Sequence, residues 1–198
     1  MKFLTITGFK GGVGKTTTAI HLATFFSDRG KTLLVDGDPN RSSISWANRG
    51  SLPFTVGDER KAMRIVEGMD YVVFDTPARP DSDDLKELAE GCDLLILPTA
   101  PDVLSLEAML QTAEQLGHNV YRALLTIVQP YPSKDGENMR RDLQKGGIPV
   151  FKTMIRRSAG FQKTALEGVP LRDYSESRLR VAWRDYEALG QEIMETIA

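Results

Sequence analysis

Apolar residues recur along this chain as two alternating kinds of block. Short runs that are apolar almost without interruption, such as Lys31-Thr32-Leu33-Leu34-Val35 and Tyr71-Val72-Val73-Phe74, have the length and β-branched content of strands buried on both faces. Further strands are expected at Lys2–Thr7, Leu52–Val56, Asp93–Leu97 and Tyr121–Val128. Between them the apolar positions step by three and four, the period of helices. Such stretches run from Thr18 to about Asp28, from Arg41 to Gly50, from Asp58 to Glu67, from Asp81 to Gly91 and from Ser105 to Leu116. The last third predicts a helix at Asn138–Lys145, a short strand at Pro149–Thr153, and a helix from Met154 to Glu167-Gly168. A final helix is expected over Ser175–Ala198, with Trp183, Tyr186, Leu189, Ile193 and Ile197 on its apolar face. Regular alternation of strand and helix predicts one α/β domain over residues 1–198, a mainly parallel twisted sheet with helices on both faces.

The turn after the first strand carries the strongest chemical signal. Lys10-Gly11-Gly12-Val13-Gly14-Lys15-Thr16-Thr17 sits between strand and helix, and its glycines let the backbone curl with N–H groups pointing inward. The helix N-terminus adds partial positive charge, so the loop forms a nest for polyphosphate. Lys15 is placed to reach the β- and γ-phosphates and the Thr16 hydroxyl to ligate Mg²⁺. The usual G-x-x-x-x-G-K-[ST] pattern asks for glycine where Phe9 stands; a second lysine, Lys10, accompanies that departure.

Two more strands end in acids. Asp36-Gly37-Asp38-Pro39 follows one and Asp75-Thr76-Pro77 the other. Ligands of open α/β sheets bind outside these carboxyl ends, where acids face phosphate and are tolerable only if they hold a cation or handle a water. Asp75, at the end of a hydrophobic strand, has the form of a Walker B acid that binds Mg²⁺ through a water.

Lys-Gly-Gly-x-Gly-Lys-Thr-Thr resembles, residue for residue, the deviant Walker A loop of the ParA/MinD family, and the resemblance extends over nearly the whole chain. It implies a P-loop NTPase fold with ATP and Mg²⁺ as cofactors. On the matching positions it implies that Asp38 handles the attacking water, that Asp36 supports the Mg²⁺ shell, and that Gln129 and Pro130 help hold the base. The metal set is then Thr16, Asp36, Asp38 and Asp75, and the catalytic set Lys10, Lys15 and Asp38. Lys10 is expected to cross to the nucleotide of a second subunit, which makes ATP the glue of a homodimer. The Pro98-Thr99-Ala100-Pro101 break and the helix after it contribute to the dimer face in relatives. Many MinD relatives have glycine where Arg79 stands. The resemblance further implies slow hydrolysis stimulated by a ParB-like or McdB-like adaptor, and a cytoplasmic, nucleoid-associated protein. Plasmid DNA is the expected cargo, with a protein cargo such as carboxysomes as the alternative.

Charge adds a partner. Residues 140–184 hold 11 Lys/Arg against 4 Asp/Glu, a segment charge of +7 that leaves −9 on the rest of a chain of net charge −2. A basic face of this kind fits non-specific DNA, with Arg140, Arg141, Lys152, Arg156, Arg157 and Lys163 as candidates.

Several classes are disfavoured. One cysteine, Cys92, is too few for an iron–sulfur cluster bridged by two chains at two thiols each. The last segment, Glu192 to Ala198, has two acids and no Lys or Arg, which argues against a basic amphipathic membrane anchor. No run approaches the ~18 apolar residues of a membrane span. Met1 leads almost directly into the first strand, so no signal peptide and no N-terminal DNA-binding domain are expected. His21 and His118 stand far apart with no nucleophile pattern around them, which disfavours a metabolic ligase or amidase.

Overall fold

The apolar runs pair into one six-stranded sheet, seen in a computed structural model that describes residues 1–78, 80–116 and 121–197. The strands are β1 (Lys2–Ile6), β2 (Thr32–Asp36), β3 (Thr55–Gly57), β4 (Tyr71–Asp75), β5 (Leu94–Thr99) and β6 (Tyr121–Leu125), in the order β3-β2-β4-β1-β5-β6. All five pairings are parallel. Register aligns Ile6 with Asp75 and Asp75 with Asp36, so the phosphate loop and both acidic ends leave one edge of the sheet together.

Neighbouring residues on a strand face opposite sides, and the core divides accordingly. Leu4, Ile6, Leu34, Val73, Leu94 and Ile96 join one apolar cluster. Leu95, Leu97, Ala123 and Leu125 join a second, and Leu33, Val35 and Val72 a third. Helices that supply these layers are α1 (Lys15–Ser27), α2 (Ser42–Ala47), α3 (Glu59–Ile65), α4 (Ser82–Glu90), α5 (Val103–Glu114), α6 (Asp135–Lys145), α7 (Ala159–Glu167), α8 (Ser177–Arg180) and α9 (Trp183–Thr196). Asp81 caps α4 with a reciprocal capping box, its side chain accepting from Asp83 N and Asp84 N.

The helix that follows the phosphate loop, α1, is buried on nearly every side because it lies between the sheet and α9. His21 on α1 is fully buried and stacks on Tyr186 of α9 at 4.8 Å, with Phe161 edge-on at 5.2 Å. Its Nδ1 lies 2.7 Å from the Thr17 carbonyl, and its Nε2 accepts from Leu171 N at 3.2 Å. A carbonyl only accepts, so Nδ1 carries the proton and the ring is neutral. Burial pushes its pKa down to about 4.

Three late elements differ from their sequence pattern. Residues 149–153 run beside β6 but form no strand of the sheet; the backbone pairing there consists of the isolated bridges Ala123–Val150 and Val128–Arg156. Pro149 has no N–H to donate, and carboxylates of α9 take the outward N–H groups: Glu192 accepts from Lys152 N and Thr153 N, Asp185 from Arg156 N. Met154 therefore starts no helix. Ile155 and Arg157 still bond to the β6 side, and α7 begins only after Ser158, whose hydroxyl accepts from Gly160 N. The expected final helix is divided into α8 and α9.

Candidate nucleotide and metal site

The loop between β1 and α1 has the shape a phosphate requires. Gly12 and Gly14 have φ of 79° and 88°, which L side chains rarely adopt, and Gly14 serves as the left-handed entry to α1. The loop is held from behind by Thr126 at the end of β6, whose Oγ1 lies 2.8 Å from the Val13 carbonyl. Val13 is buried beneath the loop, and Gly11 and Gly12 are exposed.

The two lysines of the loop point to different places. Lys15 is buried, and its Nζ donates to the Lys10 carbonyl at 3.0 Å. Burial lowers its pKa, and the nearby Asp75 and Asp38 oppose that shift. Lys10 sends its ammonium outward to the N-cap of α5, donating to Ser105 Oγ at 2.8 Å and Asp102 Oδ1 at 3.2 Å. Around it lies an open cavity of about 520 Å³ lined by Phe9, Pro80, Leu104, Ala108 and Gln111.

The acids are fully buried at Asp36 and Asp75 and partly exposed at Asp38. Both Asp36 oxygens are occupied by backbone, Oδ1 by Asp38 N at 3.2 Å and Oδ2 by Ile44 N at 2.9 Å. That makes Asp36 an anchor for the turn into α2 and leaves it less free toward a metal than its motif implies. Asp38 accepts from Asn40 N at 2.8 Å. Asp75 Oδ2 accepts from Ser43 Oγ at 2.9 Å, whereas Asp75 Oδ1 is buried with no hydrogen-bond partner. Burial raises the Asp75 pKa to about 6, against the pull of the Ser43 hydrogen bond and the nearby Thr16 hydroxyl.

An orphaned buried carboxylate oxygen beside a threonine at a phosphate loop fits Mg²⁺. Among the described residues no three His, Cys, Asp or Glu side chains converge as a ready-made cage. Mg²⁺ commonly takes one or two protein ligands and completes its shell with phosphate and water, so a sparse donor set suits it. Thr16 and Asp75 are the residues that could hold it, with Asp38 nearby.

A cavity of about 560 Å³ opens beside the loop, a volume suited to a nucleoside. Gly12, Gly14 and Thr17 form one wall, and Ile127, Arg157 and Phe161 are among the residues of the other. Gln129 and Pro130, expected at the base, are exposed and do not line it. The chain turns earlier, at Ile127, whose φ of 54° is a strained value for a β-branched residue. Arg157, a DNA candidate in the sequence, lines this cavity, as does its neighbour Arg156.

The remaining basic candidates separate into two groups. Arg156 forms a two-point ion pair with Asp185 at 2.7 and 2.8 Å, Lys163 pairs with Glu176 at 2.7 Å, and Arg140 donates to the Lys152 carbonyl. Arg141 and Lys152 are exposed. Arg79 and His118 lie outside the described residues. Among the described residues no helix is long and apolar enough to cross a membrane. Ser43 and Ile127 had no sequence signal: neither belongs to a spacing pattern, and their placement comes from packing between distant elements.

A glycine loop with buried Lys15, joined by the acidic ends of β2 and β4 at one edge of a parallel sheet, defines a P-loop nucleotide-binding protein. Residues 4–171 match the CobQ/CobB/MinD/ParA nucleotide binding domain, and the chain belongs to that family. It is 36% identical over 194 residues to the maintenance of carboxysome distribution protein A of Gloeobacter kilaueensis, covering 93% of this chain and 90% of that protein. It is 29% identical over 182 residues to the protein of the same name from Halothiobacillus neapolitanus, covering 84% of each. In structure it is similar to apo McdA of Cyanothece, with a TM-score of 0.75 at 17% identity over 95% of this chain and 98% of that one.

Proposed function

We propose that this protein is an ATP-dependent positioning ATPase that distributes a protein cargo, such as carboxysomes, by dimerising around ATP, binding non-specific DNA and responding to an adaptor protein. One observation carries the mechanism: the loop holds two lysines with separate placements, Lys15 buried at the phosphate nest and Lys10 directed outward along α5. A lone P-loop ATPase has use for the first only. Val103 and Leu104, each 68% exposed at the start of α5 beside Lys10, supply apolar surface for a second copy. Cargo is favoured by the two relatives named for carboxysome distribution, which weigh toward the protein-cargo alternative over the plasmid cargo expected from sequence.

In this scheme Lys15 and the loop amides hold the β- and γ-phosphates of ATP, and Lys10 of one subunit reaches the nucleotide of the other. Asp38 orients the water that attacks the γ-phosphorus as the bond to the leaving ADP oxygen breaks. Bound Mg²⁺ would neutralise charge developing on the phosphates. Positioning and charge neutralisation of this kind supply most of the catalysis in phosphoryl transfer. Loss of the γ-phosphate removes the partner of Lys10 and lets the dimer part.

The deciding experiment deletes the gene and follows carboxysomes, or another labelled protein compartment, alongside a resident plasmid in the same cells. Clustered compartments with stable plasmid inheritance support the proposal; plasmid loss with evenly spaced compartments supports partition. In vitro, the purified protein is mixed with random-sequence duplex and ATP. Binding that ignores ATP or salt would remove the DNA step.

A further inference from the structure

Ser43 is no ligand of phosphate or metal, yet it touches the residue that fits the metal. It is fully buried on α2, and its hydroxyl donates to Asp75 Oδ2 at 2.9 Å across the gap between helix and sheet. Some buried helix hydroxyls bond within their own helix, as Thr24 does to the Ile20 carbonyl and Thr112 to the Ala108 carbonyl. Ser43 reaches a different element. The outer torsion of an aspartate side chain is broad and nearly two-fold, so an untethered carboxylate presents its oxygens loosely. Here one oxygen is tied, and the other, Oδ1, is left buried and without a partner.

The helix that carries Ser43 is itself fixed at both ends. Ile44 N next to it holds Asp36, and Arg41 before it donates to the Asp36 carbonyl and pairs with Glu59. Beyond it, Trp46 Nε1 donates to the Val169 carbonyl at 3.2 Å, and Arg49 Nε to the Ala165 carbonyl at 2.6 Å. A group that must set the angle of another needs such a rigid mount.

We propose that Ser43 is a positioning residue of the metal site: it fixes the Asp75 carboxylate so that Oδ1 is presented toward Mg²⁺, and thereby sets the affinity for the ion. The inference rests on the assignment of Asp75 to magnesium. Partners of this kind, one shell beyond the ion, commonly change metal affinity by about 10–100-fold when removed.

The test is calorimetric titration of Mg²⁺ into the ADP-bound protein, which needs neither hydrolysis nor a second subunit. Ser43→Ala is expected to weaken Mg²⁺ binding by about tenfold or more while ADP affinity without metal stays at the wild-type value. Ser43→Cys, similar in volume with a weaker donor, is expected to fall between the two and carries the test if the alanine variant does not fold. Wild-type Mg²⁺ affinity in the folded serine variants, with only a lower melting temperature, overturns the proposal and makes Ser43 a packing residue. Asp75→Asn distinguishes the two levels. If it too leaves Mg²⁺ affinity unchanged, the magnesium assignment itself fails; if it weakens binding and the serine variants do not, only the role of Ser43 falls.

Discussion

Lys10 and Ser105 are joined within a single subunit, Nζ to Oγ at 2.8 Å, and Asp102 Oδ1 stands 3.2 Å from the same ammonium. The Lys10 side chain is about one-third exposed and that of Asp102 about half, and ion pairs in such surroundings are worth roughly 0–1 kcal/mol. The pairing is thus readily exchanged for a phosphate. Lys10→Ala is expected to bind ATP within about tenfold of wild type, a loss of under ~1.4 kcal/mol, and to stay monomeric with ATP in sedimentation velocity. An ATP-dependent dimer in that variant would falsify the cross-subunit role of Lys10.

Asp38→Ala removes the group proposed to orient water without touching the phosphate nest. Turnover measured by phosphate release is expected to fall by roughly 10²–10⁴-fold, the scale of general-base removal. The ATP-bound dimer should persist for longer than that of wild type. A variant that hydrolyses ATP at the normal rate would assign the water to another residue.

His21 makes stability pH-dependent in a definite direction. Its folded pKa of about 4 lies below the ordinary 6.5, so the unfolded chain binds the extra proton first. The stabilisation is complete above about pH 6.5 and is lost as pH falls toward 4, by about 3 kcal/mol for a shift of this size. Urea midpoints across that range should fall less steeply with acid in His21→Gln, even though that variant starts lower. Parallel curves for the two proteins would contradict the buried neutral ring.

Asp75 acts with the opposite sign. Its folded pKa of about 6 stands above the ordinary 3.8, so its contribution is present below about pH 3.8 and is lost as pH rises through 6. At neutral pH the buried charge is a cost that a cation relieves. Mg²⁺ with ADP is therefore expected to raise the melting temperature more at pH 7.5 than at pH 5, and EDTA should abolish the difference. Equal Mg²⁺ shifts at both pH values would place the ion away from Asp75.

The basic face should behave unevenly. Arg156 is tied to Asp185, and Arg156→Ala is expected to cost stability by loosening α9 from residues 155–157. Arg141→Ala and Lys152→Ala are expected to leave stability alone and to reduce the salt slope of DNA binding by about 0.9 for each phosphate that is no longer neutralised. Gel-shift titrations at several salt concentrations with a random duplex measure both. An unchanged slope in the double variant would move the DNA surface elsewhere.

The parts of the molecule legible in the sequence are those whose causes are local. Lys10 to Thr17 announces its turn by glycine and its chemistry by two lysines, and the apolar runs of β2, β4 and β5 announce their burial on both faces. Asp36 is legible as a residue of the site, but its full set of backbone partners depends on where Ile44 returns. The expected strand at 149–153 has the apolar residues Val150 and Phe151 of a short strand, yet its N–H groups meet Glu192, about forty residues on, which no local pattern reveals. The expected base contacts at Gln129 and Pro130 follow a strand taken to run to Val128; the structure ends it at Leu125 and turns at Ile127.

The acids of α9 that take up those N–H groups have a consequence for how copies of the protein meet. A sheet border of bare backbone invites a neighbouring molecule to extend it, strand upon strand. Here one border is the three-residue β3, and beyond β6 the outward amides of Lys152, Thr153 and Arg156 are already occupied. Copies crowded at high density have little bare backbone through which to polymerise. Their association is left to side-chain surfaces, where a bound nucleotide can govern it.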